Sequence, residues 1–180
     1  MDSLKAHLLI ANGNLFDPNF RQAVILVADH GDEGAMGIVI NRPAPATLGE
    51  VAPALAEVLG GDERIFLGGP VEQDAAIVLT EFEDPGSAGK LIFGSIGFVS
   101  GDIDLAALTQ LRRVRVFAGY AGWGPGQLES ELEADSWIVE TAGPDDLFSE
   151  LPEELWRTLL RRKGGRYALM ASMPFNPSTN

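Results

Sequence analysis

The stretch Gln22–Ile40 reads QAVILVADHGDEGAMGIVI, and it decides how the chain begins to fold. Its two apolar runs, Gln22–Ala28 and Met36–Ile40, have the length of strands and are almost continuously hydrophobic, which is typical of strands buried on both faces. The short polar segment His30–Gly34 joins them. We therefore predict a buried β-hairpin and place the side chain of His30 on a solvated turn.

Outward from this hairpin, strand and helix patterns follow one another without a repeat or a linker. The predicted strands are Leu4–Ala11, Arg64–Leu67, Ala75–Thr80, Lys90–Phe93, Gly97–Val99, Val114–Phe117, Trp137–Val139 and Tyr167–Ala171. The predicted helices are Thr47–Leu59 with a kink at Pro53, a helix from Asp102 or Asp104 to Leu111, one that starts near Pro125, Asp145–Phe148 and Glu153–Arg162. Early consecutive strands and later interspersed helices predict the α+β class. We expect one domain over residues 1–173 and a flexible tail over residues 174–180.

Composition restricts the classes of function. The 180 residues include 26 acidic and 13 basic side chains, for a net charge of -13, and no cysteine. A surface of this sign repels phosphate backbones and anionic lipids and favours basic partners. The absence of cysteine excludes thiolate catalysis and cysteine-based metal sites. No signal peptide or apolar run of membrane-spanning length is present, so we expect a soluble cytoplasmic protein.

Standard catalytic and cofactor motifs fail at named positions. His7 and His30 are too few for a multi-histidine metal site. Phe93 stands where a nucleophile elbow around Ser95 requires glycine, and Gln127 stands where a dinucleotide loop after Gly122 and Gly124 requires it. We therefore assign no catalytic residue, no metal and no cofactor.

Basic residues are concentrated in two places. Arg112, Arg113 and Arg115 form one cluster, and the region 157–166 holds the other. Cations at the end of a helix are favoured by its dipole, which explains the second cluster. The first cluster leaves open a patch that contacts nucleic acid or an acidic partner, although the acidic chain makes direct DNA binding the weaker reading.

Several long segments resemble one known family. They are HGDEGAMGIVINRP at 30–43, FLGGPV at 66–71, GYAGWGPGQLESE at 119–131 and the opening LLIANGNLFDPNF at 8–20. On these segments the chain is identified as a member of the YqgE/AlgH family of bacterial proteins, over nearly its whole length. One departure is Asn12-Gly13, where the family usually has a proline.

The resemblance implies a fold more firmly than a function. It implies a compact α+β domain with a mostly antiparallel, barrel-like sheet surrounded by helices. It implies no established enzyme activity, cofactor or catalytic residue. The family name derives from a proposed role in alginate production, described as transcriptional regulation. The sequence contains no helix-turn-helix motif with a basic second helix to support such a role.

The shared segments contain two sets of candidate ligand-binding residues. Asn41 and Arg42 end the second hairpin strand, where they either cap backbone groups or offer an amide and a guanidinium to an anion. Gly68 and Gly69 either allow a close backbone approach or present bare N–H groups to an anion. We consider the structural reading the stronger one for both pairs.

The second set lies around Trp123, beside the start of the helix near Pro125. Gln127 and Glu131 are four residues apart and therefore share a helix face. With Trp123 they would form an aromatic wall, an amide and a carboxylate near a helix N-terminus. The alternative is that Trp123 belongs to the core and Glu131 only balances the end of the helix.

These observations favour a non-enzymatic regulatory or binding protein that acts through protein partners, with a small-molecule ligand left open. A carboxylate-based hydrolase using Glu131 with Asp29 or Glu33 is one alternative. A transcriptional regulator that contacts DNA through the strand around Arg112–Arg115 is the other.

Overall fold

The computed structural model describes residues 2–87, 90–99 and 111–173, and these ranges contain ten strands and six α-helices. The strands are β1 (His7–Ala11), β2 (Val24–Gly31), β3 (Gly34–Val39), β4 (Pro43–Thr47), β5 (Arg64–Leu67), β6 (Val71–Phe82), β7 (Lys90–Phe93), β8 (Ile96–Phe98), β9 (Leu111–Trp123) and β10 (Trp137–Thr141). The helices are α1 (Leu48–Val51), α2 (Pro53–Leu59), α3 (Gln127–Glu133), α4 (Pro144–Leu147), α5 (Leu155–Lys163) and α6 (Arg166–Met170). Pro85–Ser87 and Pro152–Glu154 form short 3-10 turns.

The predicted hairpin is confirmed as β2 and β3. The strands pair antiparallel, with Leu26 opposite Ile38 and Ile25 opposite Val39. Because side chains alternate between the two faces of a sheet, Leu26 and Ile38 enter one core and Ile25 and Val39 enter another. Both faces of the hairpin are therefore buried, as its continuous apolar runs predicted.

The strands follow the order β10-β1-β2-β3-β9-β6-β8-β7, and β4 pairs with β5, which joins β9. Every pairing in the described residues is antiparallel except β5 with β9, which is parallel. The α+β prediction with a mostly antiparallel sheet is confirmed. The described strands do not close into a barrel, because β10 and β7 stand at the two ends of the path.

Helices cover the sheet on both faces. One core lies beneath α5, where Trp156 is 2% exposed and its indole N–H donates to the carbonyl of Ala11 at 2.8 Å. A second core on the opposite face contains Trp123, Leu128 and Trp137 beneath α3. A third cluster packs α1 and α2 against β5, β6 and β9.

Several element boundaries differ from the predictions for local reasons. The predicted kink at Pro53 is a full break between α1 and α2, because Ala52, which precedes the proline, has φ -144° and ψ 71°. β1 begins at His7 and not at Leu4, since Ala6 has a φ of 68°. β9 extends through the glycine-rich segment to Trp123, well beyond the predicted end at Phe117.

The predicted strand Tyr167–Ala171 is wrong, because this segment forms helix α6. Gly164 and Gly165, with φ of 79° and 57°, end α5 and allow the chain to start a new helix. The residues that follow, Ala168, Leu169 and Met170, have high helix propensity. Two predictions lie outside the described residues: the helix that starts at Asp102 or Asp104, apart from its last residue, and the tail over 174–180.

Candidate functional site

The carboxylate of Glu131 joins α3 to two strands. Its Oε2 accepts hydrogen bonds from the indole N–H groups of Trp123 and Trp137, each at 2.8 Å. The two indole rings meet edge to face, with centroids 6.4 Å apart. Trp123 ends β9 and Trp137 begins β10. One acidic side chain therefore fastens a helix and two strand ends in a single cluster, which we call the indole clamp (Trp123, Glu131 and Trp137).

Gln127 extends the indole clamp to the surface. Its amide N–H donates to Glu131 Oε1 at 3.2 Å, and its carbonyl oxygen accepts the backbone N–H of Gly124 at 3.0 Å. The structure thus brings together Trp123, Gln127 and Glu131, which the sequence placed side by side. Trp123 is 7% exposed and its indole N–H points to Glu131, while Gln127 is exposed. Whether this group binds a ligand stays a prediction.

His30 is not on a solvated turn, so that interpretation was wrong. The connection between the strands consists of Asp32 and Glu33, and Gly31 is already opposite Gly34. His30 therefore lies on β2, and its side chain is only 3% exposed. The two central residues Asp32-Glu33 are not a favoured hairpin pair such as Asn-Gly, so the turn residues provided no signal for this two-residue connection.

The ring of His30 links the hairpin to α3. Its Nδ1 accepts the backbone N–H of Leu4 at 2.9 Å, so the ring proton resides on Nε2. That N–H donates to Glu129 Oε1 at 2.8 Å. Hydrogen bonds from its own backbone N–H and from His30 hold the pKa of Glu129 below its usual range.

Asn41 and Arg42 bond to backbone groups where β2 begins. Asn41 is 8% exposed; its side-chain oxygen accepts the N–H of Val24 and its amide donates to the carbonyl of Gln22, both at 2.9 Å. Arg42 donates to the carbonyl oxygens of Asn19 and, at 2.6 Å, Arg21. Burial lowers the pKa of Arg42 from its ordinary value. These contacts match the capping interpretation.

Gly68 and Gly69 allow backbones to cross at close range. A Cβ on Gly68 would lie 2.3 Å from the carbonyl oxygen of Gly119, and one on Gly69 would lie 2.2 Å from the carbonyl of Tyr120. The carbonyl oxygen of Gly68 also accepts the N–H of Val39, and the N–H of Gly68 donates to the carbonyl oxygen of Ala118, both at 2.8 Å. The close-approach interpretation describes what this pair does in the fold.

The seven candidate residues do not share one set of contacts. Asn41 and Arg42 bond to backbone groups of residues 19–24. Gly68 and Gly69 lie against residues 119–121 of β9. Trp123 and Gln127 are both bonded to Glu131, where β9 ends and α3 begins.

The carboxylates of the hydrolase alternative have different partners. Asp29 is bonded to Lys90 at the start of β7 at 2.8 Å, and this hydrogen bond lowers the pKa of Asp29. Glu131 instead holds two indoles beneath α3, beside the second core. No group of three or more His, Asp and Glu side chains within the described ranges is arranged to hold a metal ion.

Most of the clustered arginines are engaged within the chain. Arg113 pairs with Glu81 at 2.6 Å and with Asp145 at 2.9 Å. Arg115 donates to the carbonyls of Leu147 and Ser149, and its guanidinium lies 4.4 Å from the centroid of the Phe66 ring. Burial lowers the pKa of Arg115. Arg112 is exposed.

Three residues of the second basic cluster are also engaged within the chain. Arg162 forms a bidentate pair with Asp146, at 3.0 and 3.1 Å, and Lys163 pairs with Glu140. Arg157 donates to the carbonyl of Ala171.

In the part of the chain that the structure describes, no helix has the length and hydropathy that a membrane crossing requires.

The fold and these contacts define an α+β protein with an open, mostly antiparallel sheet, helices on both faces and internally bonded polar clusters. The chain belongs to the AlgH-like family (DUF179), whose family model matches residues 8–168. The resemblance to the YqgE/AlgH family is thereby confirmed.

Relatives and solved structures agree with this assignment. The chain is 42% identical to UPF0301 protein SCO2948 of Streptomyces coelicolor, over 100% of this chain and 97% of the relative. It is 40% identical to a UPF0301 protein of Mycobacterium marinum, over 96% and 89% of the two chains. The solution structure of the AlgH protein from Pseudomonas aeruginosa matches with a TM-score of 0.75 and 35% identity, over 96% and 95% of the two chains. The crystal structure of protein DIP2367 from Corynebacterium diphtheriae matches in fold, with a TM-score of 0.85 and 21% identity, over 96% and 93%.

Proposed function

We propose that this protein is a non-enzymatic binding or regulatory protein that acts through a basic protein partner. The observation that carries the proposal is the surface at the tip of β2 and β3, which we call the hairpin surface (Asp29 and residues 31–36). It surrounds a concave space of about 330 Å³. Asp32 and Glu33 are exposed on it, with no hydrogen bond or ion pair to other described residues.

The hairpin surface is held in place before any partner arrives. Behind it, the His30–Glu129 bond ties β2 to α3. Beside it, Trp123 pairs with Ala35 of β3 and is fixed by the indole clamp. A surface ordered in advance loses little conformational entropy on binding, which favours affinity.

Charge supports a basic partner. The exposed carboxylates of Asp32 and Glu33 add local negative potential to a chain whose net charge is -13. Complementary charge raises association rates and excludes partners of the same sign. The binding is therefore expected to weaken as salt is added, since the Debye length falls to roughly 8 Å at physiological ionic strength.

The test is quantitative capture of proteins from the native lysate by the wild-type chain and two charge-reversed variants. Asp32→Lys with Glu33→Lys alters the hairpin surface. Glu57→Lys with Asp62→Lys makes the same charge change at exposed positions in and after α2. We expect at least one protein that the wild type and the control capture, that the hairpin variant loses, and that elutes with salt. Identical protein sets for all three chains, each shown to be folded by thermal unfolding, would overturn the proposal.

A further inference from the structure

One end of the sheet carries an unpaired strand edge. β10 is the terminal strand of the path and pairs only with β1 among the described strands. The N–H of Asn12 donates to Ser136 at 2.9 Å, and the N–H of Ala142 donates to Ala6 at 3.2 Å. Because hydrogen-bonding direction alternates along a strand, the even-numbered residues of β10 face β1. Trp137, Val139 and Thr141 therefore direct their backbone N–H and C=O groups outward.

The outward groups of Val139, which is half-buried, and of Thr141, which is exposed, form a template for another strand, whereas Trp137 is 6% exposed. No hydrogen bond within the described ranges reaches the backbone N–H or C=O of the three residues. Proteins protect such edges with short edge strands, with charged side chains or with a covering helix or loop. Other proteins use an exposed edge to bind an extended segment. β10 spans five residues, which is long enough for several backbone bonds to an added strand.

Charged side chains of both signs stand beside this edge. A concave space of about 430 Å³ is lined by Asp135 and Trp137–Val139 on one side and by Lys163, Arg166 and Tyr167 on another. Lys163 and Arg166 lie over the Tyr167 ring, 5.1 and 5.0 Å from its centroid. Lys163 is paired with Glu140, whereas Arg166 is exposed and bonds only the Tyr167 hydroxyl, at 3.0 Å. Arg166 therefore offers an exposed guanidinium next to the strand edge, across a space that also contains Asp135.

We propose that β10 binds an extended acidic segment of a partner protein as an additional strand. Backbone groups of the segment pair with Trp137, Val139 and Thr141, and a carboxylate of the segment pairs with Arg166. A second copy of this chain is the other occupant of such an edge, and sedimentation of the free chain distinguishes it. This surface differs from the hairpin surface in location, so the two proposals stand independently.

The test uses the full chain and three acetylated seven-residue peptides. The first alternates glutamate with valine, the second has lysine for each glutamate, and the third is the acidic peptide with alternate backbone nitrogens methylated. Affinity is measured by fluorescence anisotropy at on the order of 0.05 M salt, where surface charges act over about 14 Å. Amide exchange is followed by NMR in the same samples.

We expect the acidic peptide to bind at least about tenfold more tightly than the lysine peptide and the methylated peptide. The amides of Trp137, Val139 and Thr141 should exchange more slowly when it is bound. Those of Ile138 and Glu140 should change little, since they already face β1. Arg166→Glu should lower the affinity about tenfold. Arg161→Glu, at an exposed position on α5, and the hairpin variant Asp32→Lys with Glu33→Lys should not change it.

Three results would overturn the proposal. Equal affinity for the acidic and lysine peptides removes the role of Arg166. Undiminished binding of the methylated peptide, or slowed exchange elsewhere in the chain, removes strand addition at β10. A dimer of the free chain in sedimentation, with the same three amides protected, assigns the edge to a second copy.

Discussion

At the scale of single residues, removal of the Glu131 side chain takes an acceptor from three polar groups. Its carboxylate accepts two indole N–H groups and one amide N–H. Glu131→Ala would leave both indole N–H donors without an acceptor beside the second core. We therefore expect the free energy of unfolding to fall by about 2–3 kcal/mol. Glu131→Gln keeps an acceptor for the indoles and should cost less. Urea unfolding followed by tryptophan emission measures both effects.

The matched control is Glu133→Ala, an exposed carboxylate on the same helix. It should change the free energy of unfolding by less than about 0.5 kcal/mol. If Glu131→Ala costs no more than this control, the indole clamp does not stabilise α3 against the sheet.

Local spacing predicted one bond beside the indole clamp, that between Gln127 and Glu131. Gln127 and Glu131 share a helix face because they are four residues apart, and their hydrogen bond follows from this. The bond from Trp137 depends on how β10 docks beside α3, and nothing in the spacing of the sequence encodes that docking. The contact between His30 and Glu129, 99 residues apart, was hidden for the same reason.

At the scale of elements, the crossing of Gly69 over β9 fixes how β5, β6 and β9 meet. Gly69 has a φ of 152°, and an added Cβ would lie 2.2 Å from backbone atoms of Tyr120. Gly69→Ala therefore combines an unfavourable backbone conformation with a clash. Because the clash is with backbone atoms, a change of side-chain rotamer cannot relieve it. We expect a loss of about 2–4 kcal/mol in the free energy of unfolding, measured by urea denaturation.

Gly31→Ala provides the comparison. Gly31 lies at the tip of the β2–β3 hairpin, and a Cβ there meets no atom within 4 Å. We expect a change within about 0.5 kcal/mol. Similar losses for both variants would mean that the backbone crossing at Gly69 can relax.

Elements were predictable where one local signal dominated. Hydrophobic runs predicted β2 and β3, and Pro53 marked the break between α1 and α2. β9 was predicted too short because its glycines were read as a loop, whereas the fold uses Gly119 for a close approach to Gly69. In α6, a short apolar segment fits either a strand or a helix, and its position after the Gly164-Gly165 turn decides the outcome.

At the scale of the whole molecule, the order of the strands depends on pairings that are distant in sequence. β1 pairs with β10, and β5 pairs parallel with β9, so the sheet is assembled from segments more than fifty residues apart in each case. The hydrophobic pattern predicts that strands are buried but not which strand lies beside which. The α+β class was therefore predictable from the residues, whereas the open path with a free β10 edge required the structure.

Three carboxyl groups in different parts of the molecule allow a prediction of how its stability depends on pH. The pKa values of Asp29, Glu129 and Glu153 lie below their ordinary values: Asp29 is bonded to Lys90, and the two glutamates to their own backbone N–H groups as well as His30 and Arg64 respectively. A carboxyl group with a lowered pKa stabilises the folded state above its unfolded pKa. That stabilisation is lost as pH falls through the folded pKa.

The triple variant Asp29→Asn, Glu129→Gln, Glu153→Gln should therefore be less stable than the wild type at neutral pH, with a gap that closes as pH falls. The side chains of Asp29 and Glu153 are more than half exposed and that of Glu129 is 30% exposed, so we expect a modest gap. The control is the triple variant Asp32→Asn, Glu33→Gln, Glu57→Gln. It also removes three negative charges but breaks no side-chain hydrogen bond or ion pair among the described residues. By relieving repulsion within a chain of net charge -13, it should stabilise slightly or not at all. Urea midpoints measured across the acid range separate the two effects. A stability difference between wild type and the first variant that stays constant with pH would show that these bonds do not set the acid stability of the fold. The same conclusion would follow if the second variant showed that difference.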